Sequence, residues 1–162
     1  MLGTSMLNAM VAYHGTANGR LLDLAGQLPD HILDAPIEER SRSIRETFRH
    51  MTDTDRRWRI FVETRFPVWD DGGPVADLMS IDDLATYQAN ETAALCDWLE
   101  RQSEAQLMEE IEVTWQGETS QITAWQSLLQ LLLHAQQHRS EIAIALTRHN
   151  LSPNDIDFVM YI

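Results

Sequence analysis

The chemical promise of this 162-residue chain lies in three histidines: His134 and His138 in the run LLLHAQQHRSEI, and His50 in IRETFRHMTDTDRRW. The first two stand four residues apart in a segment free of Gly and Pro, so a helix would place both imidazoles on one face, about 40° apart. Two imidazoles beside an apolar stripe are costly unless each ring nitrogen finds a partner, and two cations there would repel each other. A bound metal relieves both costs. The same spacing also suits two polar residues on a solvated helix face. Closed structural zinc sites take four protein ligands, whereas a set of His50, His134 and His138 would leave a coordination position open for water or a small-molecule substrate. Imidazole suits Zn or Ni first, with Fe and Mn as further divalent candidates, and ligand type alone does not choose among them.

The residues around this triad narrow the chemistry. His134-Ala-Gln-Gln-His138 lacks the Glu that follows the first His in zinc proteases and serves there as general base, which disfavours peptide hydrolysis. Glu141, one turn beyond His138, is the candidate catalytic base, and Asp53, three residues after His50, is a second. Each also fits a carboxylate that merely supports a ligand or faces solvent. His31 falls in a connection and His149 at a helix end, whereas His14 could enter the core as a fourth polar group. Cys96 has no basic or histidine neighbour in ALCDWLE and reads as core packing. The tryptophans read as core and interface mass, with Trp58 two turns after His50 and able to line a pocket.

Four amphipathic helices must position these groups. The first spans about Ser5 to Gln27, with Leu7, Met10, Val11, His14, Asn18, Leu21, Leu22 and Ala25 recurring at helical intervals. DHILDAPIEER is a connection. The second helix opens with the capping box Ser43-Ile-Arg-Glu46, carries His50, and ends by Pro67 and WDDGGP. A third follows Ser80, with Asp82 and Asp83 in its first turn, and reaches about Ser103. Alternation through Ile111, Val113 and Trp115 before Gly117 predicts a short hairpin. The fourth opens with the box Thr123-Ala-Trp-Gln126 and runs to about His149, with Asn150 taking the left-handed position and Pro153 preventing continuation. The fold class is all-α, a four-helix bundle with a small accessory β-hairpin before the last helix, in one domain over residues 1–162.

Composition excludes several functions. Twelve basic residues against 25 acidic ones give a formal charge of −13, which repels a phosphate backbone or an anionic membrane. No nucleic acid and no membrane partner is expected. All twelve basic residues are arginines, which rules out a lysine Schiff base and a P-loop lysine. A lone cysteine, no signal-peptide pattern and no long apolar run together predict a cytoplasmic protein.

Several segments together resemble a known family. They are Tyr13 and Asn18 in the first helix; SIRETFRHMTDTDRRW with His50 and Trp58; the WQGE turn; LLLHAQQHRSEIAIALTRHNLSP; and Asp157-Phe-Val-Met-Tyr161. Over nearly the whole chain the pattern resembles the DinB/YfiT-like superfamily of metalloenzymes, and the most specific matches are His50 and His134-x-x-x-His138-Arg139. The resemblance implies up-down-down-up topology, a divalent metal on the three histidines, and frequent homodimers, for which the surplus of tryptophans offers interface mass. It also implies kinship with transferases and isomerases that use low-molecular-weight thiols such as bacillithiol, mycothiol or glutathione. The chain departs from the pattern at Ser140-Glu141, where Gly-Gln is common, and at Asn150, where Gly is usual. The leading expectation is a metal-dependent enzyme, a thiol-dependent transferase or isomerase or else a hydrolase. The alternatives are a non-catalytic metal-binding or stress-response module and a metal-free helical interaction protein.

Overall fold

A computed structural model describes residues 3–69, 73–115 and 117–161, with the side chain of Trp115 set aside. Its elements, in chain order, are α1 (Thr4–Ala25), α2 (Asp30–Leu33), α3 (Ile44–Thr64), α4 (Ile81–Glu100), α5 (Glu104–Leu107), β1 (Glu110–Trp115), β2 (Glu118–Thr123) and α6 (Ala124–Arg148). Short 3₁₀ turns cover Pro74–Asp77 and Phe158–Met160. None of the described helices is long and apolar enough to cross a membrane.

Local chemistry sets where the helices begin. Ser43 accepts from the Glu46 amide at 3.1 Å while the Glu46 carboxylate accepts from the Ser43 amide at 2.9 Å, closing the expected capping box of α3. Ser80 caps α4 through the Asp83 amide. Thr123 and Gln126 close a second box, and Thr123 is also the last residue of β2, so the hairpin runs straight into α6. Helix ends are set as locally: Arg65 (φ 64°) and Asn150 (φ 62°) take the left-handed conformation after α3 and α6. The chain differs from expectation between Glu100 and Glu110. Helix α4 stops at Glu100 because Ser103 instead forms a capping box with Gln106 and starts the four-residue α5. The connection after α1 likewise holds the single turn α2. Part of WDDGGP (residues 70–72) and Gln116 of the WQGE turn lie outside the described residues.

Side-chain pairings define the topology. Helix α1 packs on α4 and α6, and α3 packs on the same two, so α1 and α3 are diagonal in the bundle. Asp55 meets Gln88 and Arg59 meets Glu91, which makes α3 and α4 parallel. His14 lies against Arg139, while Leu21 and Leu22 share a cluster with Leu146, which makes α1 and α6 parallel. The α1–α4 and α3–α6 contacts are antiparallel, giving the up-down-down-up arrangement.

The apolar core divides into two clusters. One gathers Leu21, Leu22, Phe48, Met51, Leu84, Ile142 and Leu146; the other gathers Leu7, Val11, Phe61, Leu95, Leu99, Leu128 and Leu131. The sequence positions between them hold buried polar residues: His14, Asn18, Asp55, Gln88 and Arg139. His50, His134 and His138 lie beside this polar layer, His138 being next to Arg139 in the chain.

Close helix contact at one glycine yields a differential test. A Cβ on Gly15 would lie 2.5 Å from Thr92 Cγ2 across the α1–α4 contact, whereas a Cβ on Gly19 would meet nothing within 4 Å. Gly15→Ala should therefore lower stability by about 1–3 kcal/mol despite the better helix propensity of Ala. Gly19→Ala should raise it by roughly 0.5–1 kcal/mol. Urea unfolding of the two variants checks this; equal shifts would mean that α1 and α4 do not approach at Gly15.

Candidate metal centre

Helices α3 and α6 bring the three predicted histidines together. One ring nitrogen from each of His50, His134 and His138 lies within 4.8 Å of the others. The His50 and His134 Nε2 atoms are 3.0 Å apart, and the ring centroids are 4.6 to 4.9 Å apart in pairwise edge-on contacts. Two imidazole nitrogens on a tetrahedral zinc, each bonded at about 2.0–2.1 Å, would stand about 3.3 Å apart, so this spacing is close to that of a ligated pair. His50 and His134 are half-buried and His138 is buried.

The donor set fits a cation in its chemistry as well. Burial pushes the His50 imidazolium down to about 4, helped by the positive charge of Arg42 and by His134 and His138. Burial also lowers His134, with His138 as the next cause. Both rings are neutral at physiological pH, the state that a metal requires of imidazole. The Glu141 carboxylate accepts from His138 Nδ1 at 2.8 Å, which assigns the neutral ring's proton to Nδ1 and makes Nε2 the atom that could ligate. Glu141, the predicted base, thus stands in direct contact with one of the three histidines. Asp53 does not; it is held by Arg57 at 2.6 Å and Arg56 at 3.3 Å.

Beneath the triad lies a polar network; the sequence pointed to His14 as a core polar group and to Tyr13, Asn18 and Arg139 through the family resemblance, whereas Asp55, Gln88 and Gln136 were missed. Arg139, 2 % exposed, donates through Nη1 to His14 Nδ1 at 3.0 Å and to Asn18 Oδ1 at 3.1 Å, and through Nη2 to Gln136. Because arginine only donates, His14 accepts at Nδ1 and donates through Nε2 to Asp55 Oδ2 at 2.8 Å. Gln88 donates to the same Asp55 oxygen at 3.2 Å. The Arg139 guanidinium also lies 5.5 Å from the Tyr13 ring centre, and the Tyr13 hydroxyl donates to the Ile156 carbonyl, which ties the C-terminal segment to α1. A signal was available in the sequence. Asp55 follows Met51 by four residues and Gln88 follows Leu84 by four, so both occupy core-stripe positions where a polar residue needs a partner.

The remaining candidates lie elsewhere. His31 and His149 are exposed, and His14 has joined the buried network. Cys96 is partly buried in the second core cluster, and burial pushes its thiol up, with Glu100 and Asp97 adding to the effect. Trp58 stacks edge-on with Trp69 and Phe61 at the border of that cluster.

The sequence profile of the DinB superfamily matches residues 15–142, a span that includes all three histidines and Asn18, Asp55, Gln88 and Arg139 of the buried network. The chain belongs to the DinB superfamily. Among solved structures, YfiT from Bacillus subtilis is similar at a TM-score of 0.76 and 13% identity, over 91% of this chain and 90% of that one. That protein is described as a probable metal-dependent hydrolase with an unusual four-helix bundle topology. The same bundle topology is thus shared at a level of identity where the helix sequences have diverged almost completely. No protein of curated function matches the chain.

The depressed histidines predict a pH dependence in the metal-free protein. An unfolded His50 takes up a proton near 6.5, whereas the folded one resists until about 4. Between those values the unfolded chain binds more protons, so this residue's contribution, full above pH 6.5, is lost as pH falls toward 4. Thermal unfolding after chelator treatment should show the melting temperature falling from pH 7 to pH 5, above the range where ordinary carboxylates titrate. His50→Gln should flatten that fall; an unchanged slope would mean that His50 is not held neutral in the fold.

Proposed function

We propose that His50, His134 and His138 hold a divalent cation and that the protein is a metal-dependent enzyme acting on a small molecule. The observation that carries the reading is the convergence of three ring nitrogens from two helices, with the third ring oriented by Glu141. A divalent ion there would act as a Lewis acid and lower the pKa of a water or thiol nucleophile. Zinc and nickel are the first candidates for three imidazoles, with iron and manganese after them.

The chain's own groups have definite parts in this scheme. His50 and His134 arrive neutral because they are shielded from solvent, so binding the ion costs no proton there. Glu141 holds the His138 tautomer and raises the basicity of that ring. Its side chain is 46% exposed and lines a cavity of about 820 Å³ together with His138, so it can also take a proton from a substrate lodged there. That cavity is large enough for a small-molecule substrate. Hydrolysis agrees with the description of YfiT, and transfer to or from a low-molecular-weight thiol agrees with the wider family resemblance.

Metal analysis and titration test the centre first. The protein cleared of adventitious metal should take up one zinc or nickel ion per chain, and the double variant His134→Ala, His138→Ala should take up none. Glu141→Gln should weaken the affinity by about 10- to 100-fold. At a metal concentration of roughly 100 times Kd, the ion should add about 2.7 kcal/mol of stability. The loaded protein is then screened with esters, amides and thiol-reactive electrophiles, the last with and without bacillithiol, mycothiol or glutathione. Turnover that disappears with chelator and returns with metal supports the enzyme; a loaded protein that turns over none of them is a binding module instead.

A further inference from the structure

The cavity beside His138 has a wall that the histidine triad does not use. It is lined on one side by Gln137, His138 and Glu141 of α6, on another by Glu46 and Thr47 of α3, and it is closed by the segment Ile37–Arg42. Hydrogen bonds hold that segment in one shape. Pro36 and Ser43 pair as an isolated bridge, the Ile37 amide donates to the Arg42 carbonyl at 3.1 Å, and the Ser41 amide donates to the Glu38 carbonyl at 3.0 Å. The turn passes through Arg40 in the left-handed conformation (φ 67°), which a residue with a side chain seldom adopts. Buried Arg45 fastens the preceding stretch, donating to Asp34 at 2.6 Å and to the Met79 carbonyl at 2.6 Å.

The charges on this wall are unevenly satisfied. Each of the three carboxylates that line the cavity has a donor: His138 for Glu141, the Ser43 amide for Glu46, and Arg148 for Glu38. Among the described residues, Arg40 has only a loose contact with its neighbour Glu39, at 3.9 Å with both side chains about nine-tenths exposed. The Arg42 guanidinium, among the described residues, has neither a carboxylate partner nor a hydrogen-bond acceptor. Its charge is nevertheless felt at His50 and at His134, so it stands within electrostatic range of the triad. In a chain of formal charge −13, an unpaired cation next to a cavity and a metal-binding triad is a local exception.

We propose that this cavity takes a substrate carrying a carboxylate or phosphate group, which Arg42 binds while Arg40 attracts it at the rim. An arginine fork matches either oxyanion through two parallel hydrogen bonds, and the anchor would set the distance between the anionic end and the part of the substrate that faces the histidines. The inference rests on the reading of the triad as a metal centre for its catalytic meaning, though not for the anion binding itself.

Calorimetric titration with succinate, inorganic phosphate and the uncharged isostere succinamide tests it, on the zinc-loaded protein and on the chelator-stripped protein, in which an anion cannot bind to the ion. Succinate or phosphate should bind both forms, and the tighter of the two identifies the anion class. Succinamide should not bind. Arg42→Ala should weaken binding by about tenfold in the stripped protein, with Arg42→Lys losing less and Arg40→Ala acting mainly through the dependence on salt. Arg42 is exposed, so an unchanged melting curve will show that the variants fold. Equal binding by Arg42→Ala and the wild type, binding of succinamide as tight as that of succinate, or no anion binding at all would overturn the proposal. A wild type that takes up no zinc would overturn the metal centre alone, and the stripped-protein titration would still decide the role of Arg42.

Discussion

A buried guanidinium organises this bundle. Arg139 is 2 % exposed in the middle of α6, and burial pushes its pKa below the usual arginine value. Such a charge is tolerated in a protein interior only when its donors and a counter-charge are in place. Apart from Gln136 on α6 itself, the acceptors and the counter-charge come from other helices: His14 and Asn18 accept from α1, Asp55 of α3 acts through the His14 ring, and Gln88 of α4 donates to the same Asp55 oxygen. All four long helices meet in one chain of hydrogen bonds. A slip of one helix by a turn would leave a charge or a ring nitrogen without a partner, so the network selects one register where a purely apolar seam would admit several.

That register also sets the histidine triad. His138 immediately precedes Arg139, and His50 precedes Asp55 by five residues, so the alignment of α3 with α6 that lets the Asp55–His14–Arg139 chain close also sets His50 against His134 and His138. The polar layer and the candidate metal centre are thus two parts of one constraint. The layer separates the apolar core into two clusters, a loss of continuous packing that a bundle selected for stability alone would avoid. Its retention is understandable if the layer's work is to hold ligand-bearing helices at a fixed offset, in the way that supporting residues hold a metal ligand's orientation. Glu141 adds to this on the solvent side. Where the family resemblance leads one to expect Gly-Gln, this chain has Ser140-Glu141, and the carboxylate is in contact with His138.

Much of this architecture was legible because it is written in short-range chemistry. The Ser43–Glu46 and Thr123–Gln126 boxes start their helices where the residue types require, and Leu128, Leu131, Ala135, Ile142 and Leu146 are buried along the α6 stripe as their spacing implies. The four-residue period of His134 and His138 likewise foretold a shared face. What the sequence did not disclose depends on long-range pairing. Asp55, Gln88 and Glu91 interrupt apolar stripes at core positions, but nothing local says that Asp55 will meet His14, 41 residues away, or that Glu91 will take Arg59 across the α3–α4 contact at 2.6 Å. Short elements escaped for the opposite reason. A capping box of Ser103 with Gln106 competes with the tail of α4 over a few residues, where the two outcomes differ by little energy.

The hairpin shows how an accessory element can matter to the centre without touching it. Its strands pair in register from Glu110 with Thr123 to Trp115 with Glu118, and Thr123 then serves as the N-cap of α6. The first residue of α6 is therefore fixed by a sheet ladder as well as by its own capping box. Ile111 and Ala124 bury themselves in the same cluster as Leu128 and Leu131, so the ladder is anchored to the core on the side from which α6 departs. Eleven residues, about three turns, separate this fixed start from His134. A helix free to shift or rotate at its origin would carry its two histidines away from His50; one clamped at Thr123 and pinned again at Arg139 has both its phase and its axial position set. The placement of the histidine pair thus follows from two restraints on either side of it, one in the backbone and one in the buried network.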